Sequence, residues 1–254
     1  YMNLPKSICF IIILLFAISC NKDNNTLQKD INAYHKSISE HELEDIDKLK
    51  EYQRLIENNQ NIPDSTKAQN NYLIGSYFYK NSKRDSATVY LRKATTFVDK
   101  QNFTKKNVNY FEKLWQCYKA QEKPGDCYST SERFKERIDL ENDPENAALY
   151  YYFKAYYYKM QGDYKESLKY NKKIITALEG TENEAKYRAL IFQASLKEEL
   201  GDRGKAMTIL ENLISKSNQF KNDFNSEAYG EYSNLLFYEG RFKECLKFNK
   251  EGLE

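Results

Sequence analysis

Gly162, Gly201 and Gly240 stand at identical intervals of 39 residues. Each opens a triplet of glycine, a polar or basic residue, and an aromatic or basic one: Gly162-Asp163-Tyr164, Gly201-Asp202-Arg203 and Gly240-Arg241-Phe242. A fixed period of this size marks a repeat architecture, in which each unit buries its apolar face only against its neighbours. A chain built this way offers an extended surface more readily than an enclosed reaction chamber, so function is expected in what the surface holds.

The repeating element reads as helical. Four prolines and nine glycines are few for 254 residues, and Leu, Lys, Glu and Ala recur in long uninterrupted stretches. Ile31, Tyr34 and Ile38, then Leu43, Ile46, Leu49, Tyr52 and Ile56, form apolar stripes at helical spacing. Asn61-Ile62-Pro63-Asp64-Ser65 closes that segment and starts the next. Tyr72 to Tyr79 and Ser86 to Phe97 then read as two helices joined by the turn Asn81 to Asp85.

Gly75, Tyr77, Phe78, Ala87, Leu91 and Ala94 carry a pattern similar to the tetratricopeptide repeat. In that family a small residue and an aromatic sit in helix A, a glycine at the turn, and small-large-small in helix B. Small residues let two antiparallel helices approach closely, and large ones fill the gap between units. Ala155, Tyr158, Gly162, Tyr164, Ser167 and Ile174 match again; so do Ala194, Gly201, Ala206, Leu210 and Leu213, and then Ser233, Leu236, Gly240, Phe242 and Cys245. Leu114, Trp115, Tyr118, Gly125 and Phe134 form a degenerate unit between the first and second matches. Taking Ser82, Gly125, Gly162, Gly201 and Gly240 as equivalent turns gives gaps of 43, 37, 39 and 39 residues. The resemblance implies an all-α fold, a right-handed α-solenoid of antiparallel helix pairs forming a TPR-like superhelix. An N-terminal helix pair is expected over 27–63 and about five repeats over 64–254, the last incomplete.

In this family helix A lines the concave wall. Alignment on the turns places Tyr72, Trp115, Tyr152 and Ile191 at one equivalent helix A position, with Tyr79, Tyr156 and Lys159 on the same helical faces. One reading is an aromatic ladder that grips an extended peptide or a sugar ring. The other is that these rings cover neighbouring repeats, as most buried aromatics do. Trp115 is the only tryptophan, and Trp is favoured at binding hot spots.

The first residues follow a different logic. Lys6 precedes an uncharged apolar run from Ile8 to Ile18, too short to span a bilayer but of the length and flanks of a secretory leader over 1–19. Ala17-Ile18-Ser19-Cys20 resembles the lipobox of bacterial lipoproteins, with Ala17 where Leu is usual. That resemblance implies acylation of the Cys20 thiol, a polar tether over 20–26, and anchoring in the cell envelope with palmitate-type chains. Two or three acyl chains hold far better than one, since each buried methylene contributes roughly 0.8 kcal/mol.

Several chemistries are excluded. The 39 Lys plus Arg against 37 Asp plus Glu leave no field for nucleic acid. The only histidines, His35 and His41, precede the repeats and are expected to be solvated, so neither a catalytic triad nor a multi-histidine metal site is expected, and no cofactor. Gly201-Asp202-Arg203-Gly204-Lys205 has the wrong spacing for a phosphate loop. Beyond Cys9 and Cys20, three cysteines remain, and Cys117 with Cys127 form a candidate disulfide in an oxidising compartment.

The expected function is a non-catalytic, membrane-tethered scaffold that holds a protein or peptide in the concave groove. A second expectation is the extracytoplasmic sensor region of a longer signal transducer, such as a histidine kinase or a helix-turn-helix regulator, because the last helix pair ends without a polar cap. A glycan-binding lipoprotein, resting on Tyr and Trp content, is a third.

Overall fold

The computed structural model describes residues 26–36, 46–57, 59, 61–99, 103–181, 184–216 and 224–252. The leader, Cys20 and His41 lie outside these residues. Among them are twelve helices and no strand. The chain divides into two compact units, 1–121 and 122–254.

Unit 1 holds α1 (residues 26–36), α2 (Ile46–Glu57), α3 (Asp64–Lys80), α4 (Arg84–Thr96) and α5 (Lys105–Ala120). Ile31, Ile56 and Ile62 make a buried cluster to which Leu27 and Tyr52 add partly buried flanks. The tightest packing is between α3 and α4. A Cβ built on Gly75 would come within 2.6 Å of Leu91 Cγ, so only glycine lets the helices approach this far. At the start of helix α5 the Asn107 side chain reaches back, its Oδ1 accepting from Thr104 N at 2.8 Å and from Thr104 Oγ1 at 2.9 Å.

Unit 2 holds α6 (Pro124–Lys135), α7 (Pro144–Met160), α8 (Tyr164–Ala177), α9 (Glu184–Glu199), α10 (Arg203–Ile214), α11 (Phe224–Tyr238) and α12 (Phe242–Glu251). Asp143 and Asp163 cap α7 and α8 by accepting from Asn146 N and Glu166 N. Ala148, Ile174, Leu178 and Ala189 form one core cluster, and Ile191, Ala194, Leu210, Tyr232 and Leu236 belong to the next. Small residues again sit where helices cross: Ser167 donates to the Ala155 carbonyl at 2.7 Å, and the Asn171 amide to the Ala189 carbonyl at 2.9 Å.

The turns correct the register read from sequence. Gly162, Gly201 and Gly240 are left-handed, with φ of 74°, 78° and 74°. Their helices close with matching bonds, from Asp163 N to Tyr158 O, Asp202 N to Lys197 O and Arg241 N to Leu236 O. Two non-glycine residues are left-handed as well among the described residues, Ser82, at 58°, and Glu122, at 54°. Gly125, expected to be a turn, lies in the first turn of α6. With Glu122 in its place, the turns fall 40, 40, 39 and 39 residues apart, a more regular repeat than the glycines suggest.

Candidate functional site

Moving the turn to Glu122 shifts α5 by three residues, and Trp115 changes role. It falls seven residues before its turn, as do Gly75, Ala155, Ala194 and Ser233, all buried small residues of helix A. Trp115 is fully buried, so the expectation that it faces a groove is corrected: it is a core residue at a packing position. Ile191 is also corrected, since it belongs to the core cluster of α9, α10, α11 and α12. The position shared with Tyr72 and Tyr152 is taken in α5 by half-buried Glu112.

Of the remaining expected residues, Tyr152, Tyr156 and Lys159 come together on α7. They meet a residue that the alignment missed, Phe192 of α9. The Tyr156 and Phe192 rings stack, with centroids 5.8 Å apart and planes 9° from parallel. Tyr152 closes the group at 6.0 Å from Tyr156 and 6.4 Å from Phe192. Lys159 Nζ lies 5.2 Å from the Phe192 centroid and donates to Ser195 Oγ at 3.0 Å. All four side chains are half-buried. Near one end, burial and then the Glu198 charge raise the Glu231 carboxyl above the usual range, while Lys159 pulls it down. Arg188 joins Glu227 at 3.3 Å. The result is an aromatic platform across α7 and α9 with one cation above it and carboxylates beside it. Phe192 was legible only as an aromatic one residue beyond Ile191.

In unit 1, Tyr72 and Tyr79 are half-buried. Tyr72 packs on Tyr110 at 4.6 Å, and the Tyr79 ring is flanked by the Arg84 guanidinium at 4.2 Å and Lys113 Nζ at 4.8 Å.

Four of the remaining tyrosines form a box rather than a face. Lys154 of α7 is 3% exposed, and its Nζ donates to Glu132 Oε1 at 2.8 Å. It sits 3.7 Å from the Tyr128 centroid and within 5.9 Å of those of Tyr157, Tyr158 and Tyr170. Burial works against the ammonium, but Glu132 and the phenols outweigh it, and Lys154 titrates above the ordinary lysine range.

His35, expected to be solvated, is 7% exposed. It lines a cavity of about 1080 Å³ bounded by α1, the starts of α3 and α5, and the connection between α4 and α5. Its Nε2 lies 3.1 Å from Asn70 Oδ1, and the Asn70 amide donates to Gln53 Oε1 at 2.9 Å and the Leu49 carbonyl at 3.3 Å. Tyr110 donates to Gln69 Oε1 at 2.7 Å in the same wall.

The expected disulfide does not form: Cys117 and Cys127 are both buried free thiols. Burial pushes the Cys117 thiol up to about 11, which keeps the reactive thiolate scarce at neutral pH. Cys245 is buried and free as well. Among the described residues, no His, Cys, Asp and Glu cluster could hold a metal, and no helix is long and apolar enough to cross a membrane.

No protein-family model and no curated protein matches the chain. Solved structures do resemble it. BtubC (BKLC) from P. vanneervenii has 12% identity and a TM-score of 0.60, covering 87% of this chain and 89% of that one. The TPR-like repeats of a kinesin light chain from Podosopora anserina have 13% identity and a TM-score of 0.58, covering 76% and 95%. The Rap conjugation gene regulator of the plasmid pLS20, in complex with the Phr* peptide, has 12% identity and a TM-score of 0.56, covering 90% and 74%. At these identities the likeness concerns the fold, which is all-α and of the TPR-like solenoid class.

Proposed function

We propose that this chain is a non-catalytic scaffold that holds an extended protein segment on the helix A wall of unit 2. The observation that carries the reading is the coplanar Tyr156–Phe192 stack, with Tyr152 beside it and Lys159 above it. Rings held at fixed spacing on rigid helices offer large contact area with little conformational entropy to lose, which is what a peptide site requires. A neighbour of the same fold was solved with a peptide, the Rap regulator with Phr*, which supports the class of ligand. The Lys159 ammonium and the Glu198, Glu227 and Glu231 carboxylates would orient the segment more than they would tighten it.

The test is selection of peptides from a random displayed library on the purified chain, followed by binding of the selected peptides to Tyr156→Ala/Phe192→Ala. Weakening of at least tenfold with unchanged helicity is the expected result. Equal binding by the variant would show that the rings only pack.

The same proposal places the scaffold in a bacterial cell envelope, tethered by acyl chains on Cys20, on the strength of the lipobox-like Ala17-Ile18-Ser19-Cys20 after an apolar run. Metabolic labelling with a fatty-acid analogue is expected to mark the wild type and not Cys20→Ala. Label persisting in that variant would remove the tether from the proposal.

A further inference from the structure

The α11–α12 pair differs from the other helix pairs in what it leaves uncovered. In each of the others the second helix packs on the first helix of the next pair: α4 on α5, α6 on α7, α8 on α9 and α10 on α11. Among the described helices, α12 packs chiefly on α11. Its outer face nevertheless carries the residues that seat a following helix. Leu246 stands six residues after its turn, as Met207 of α10 does, yet Met207 is 7% exposed and Leu246 72%. Asn249 stands nine residues after its turn, like Leu91, Ser131, Asn171 and Leu210; those four are buried and Asn249 is exposed. Asn171 shows what such an amide does when covered, since it donates to the Ala189 carbonyl of the next helix at 2.9 Å. The Asn249 amide reaches the Cys245 sulfur of its own helix, at 3.7 Å.

The same face holds the four most exposed large apolar side chains among the described residues, Phe237, Tyr238, Phe242 and Leu246. They form one patch. The Phe237 centroid lies 5.5 Å from that of Phe242 and 6.0 Å from that of Tyr238, and Leu246 follows Phe242 one helical turn on. One repeat earlier, Glu198 and Arg203 stand in the places of Phe237 and Phe242, so the apolar character belongs to this pair and not to the repeat. The patch shares no residue with the peptide wall.

The charges around it do not suit a lipid surface. Arg241 is held by Glu239 at 3.5 Å and Glu244 at 2.6 Å, and Lys247 lies 3.7 Å from Glu251, whereas anionic headgroups draw clusters of uncommitted cations. A second copy of the chain fits better. A two-fold contact matches a patch with itself, so the largest exposed apolar surface of one copy is covered by the largest of the other. The Asn249 amide has both donors and an acceptor and can pair with its own counterpart. With more than half of each side chain exposed, the four residues offer on the order of 400 Å². A standard interface takes about 800 Å² from each partner, with an apolar centre and a polar rim. Lys243, Asn249 and Lys250, all exposed, supply that rim.

We propose that the chain forms a two-fold dimer in which α12 packs on α12 of a second copy. Leu246 lies at the axis, with Phe242 and Phe237 on either side of it.

The test is sedimentation velocity of the purified chain over a range of concentrations, with cysteine cross-linking as a second readout. The wild type is expected to dimerise. Leu246→Lys sets two ammonium groups against each other across the axis, and is expected to weaken association at least tenfold with unchanged helicity. Under mild oxidation Leu246→Cys is expected to give a covalent dimer, while Val89→Cys, on an exposed face of α4, does not. A single-chain mass at every concentration, a dimer that persists in Leu246→Lys, or equal cross-linking of the two cysteine variants would each overturn the proposal. A monomer that sediments with phosphatidylglycerol vesicles, and loses this in Leu246→Lys, would overturn it in favour of a membrane.

Discussion

The two units differ in the polar groups that they bury. In unit 1 the interior polarity is neutral and distributed: His35, Gln53, Gln69, Asn70 and Asn71 are all buried, several linked by amide hydrogen bonds beside an open cavity. Unit 2 adds a buried charge to its neutral groups: Lys154 pairs with the partly exposed Glu132 beneath tyrosine rings, while Ser167 and Asn171 donate to backbone carbonyls. Neutral amides tolerate an open wall because water can complete their bonds, whereas a buried ammonium is stable only when it is paired and hydrogen-bonded. One repeat pattern thus supports two interiors, because the pattern prescribes small and large positions and leaves the polar ones free.

The sharpest way to break the contrast is Glu132→Ala, which leaves Lys154 without its counter-ion. A loss of about 3 kcal/mol is expected in denaturant unfolding. Glu132→Ala/Lys154→Met should recover much of it, because an unpaired charge is worse than no charge. On the other side, Gly75→Ala drives a methyl group into Leu91 in unit 1 and should cost about 2 kcal/mol. Unit 2 offers a control without crowding: nothing lies within 4 Å of a Cβ on Gly162, so Gly162→Ala should cost only the left-handed backbone penalty, about 1 kcal/mol. Ser82→Gly, at the equivalent turn of unit 1, should change thermal stability by less, in the stabilising direction.

The smallest expected effect is a slope with pH. Burial holds His35 below its ordinary value of 6.5, so the unfolded chain takes up the proton first. The contribution of His35 is therefore complete above about pH 6.5 and lost as pH falls through the folded-state midpoint. His35→Gln should flatten that slope in urea titrations between pH 7 and 5. An unchanged slope would assign it to other groups.

The helix pairs were legible in the sequence because their glycines and small residues answer to backbone geometry and close approach, which leave few alternatives. The register of α5 was not, because Glu122 adopts a left-handed turn without glycine and the nearby Gly125 attracts the assignment instead. That error of three residues moved Trp115 from a core position to an imagined groove. Tyr152 and Tyr156 lie together on one helix, as their spacing of four implies, since spacing along a helix is local. Phe192 and the cavity of His35 depend on which helix packs beside which, and no periodicity within a segment reports that.

The enclosure of Lys154 also has a kinetic side. Its walls come from α6, α7 and α8 together, so none of these helices can peel away without exposing the box to solvent. Amides across all three should then exchange with deuterium in a single opening event, with one common free energy. A repeat array usually frays from its ends one unit at a time. Here a lysine inside the stack sets the smallest piece of unit 2 that can open, and makes it larger than one repeat.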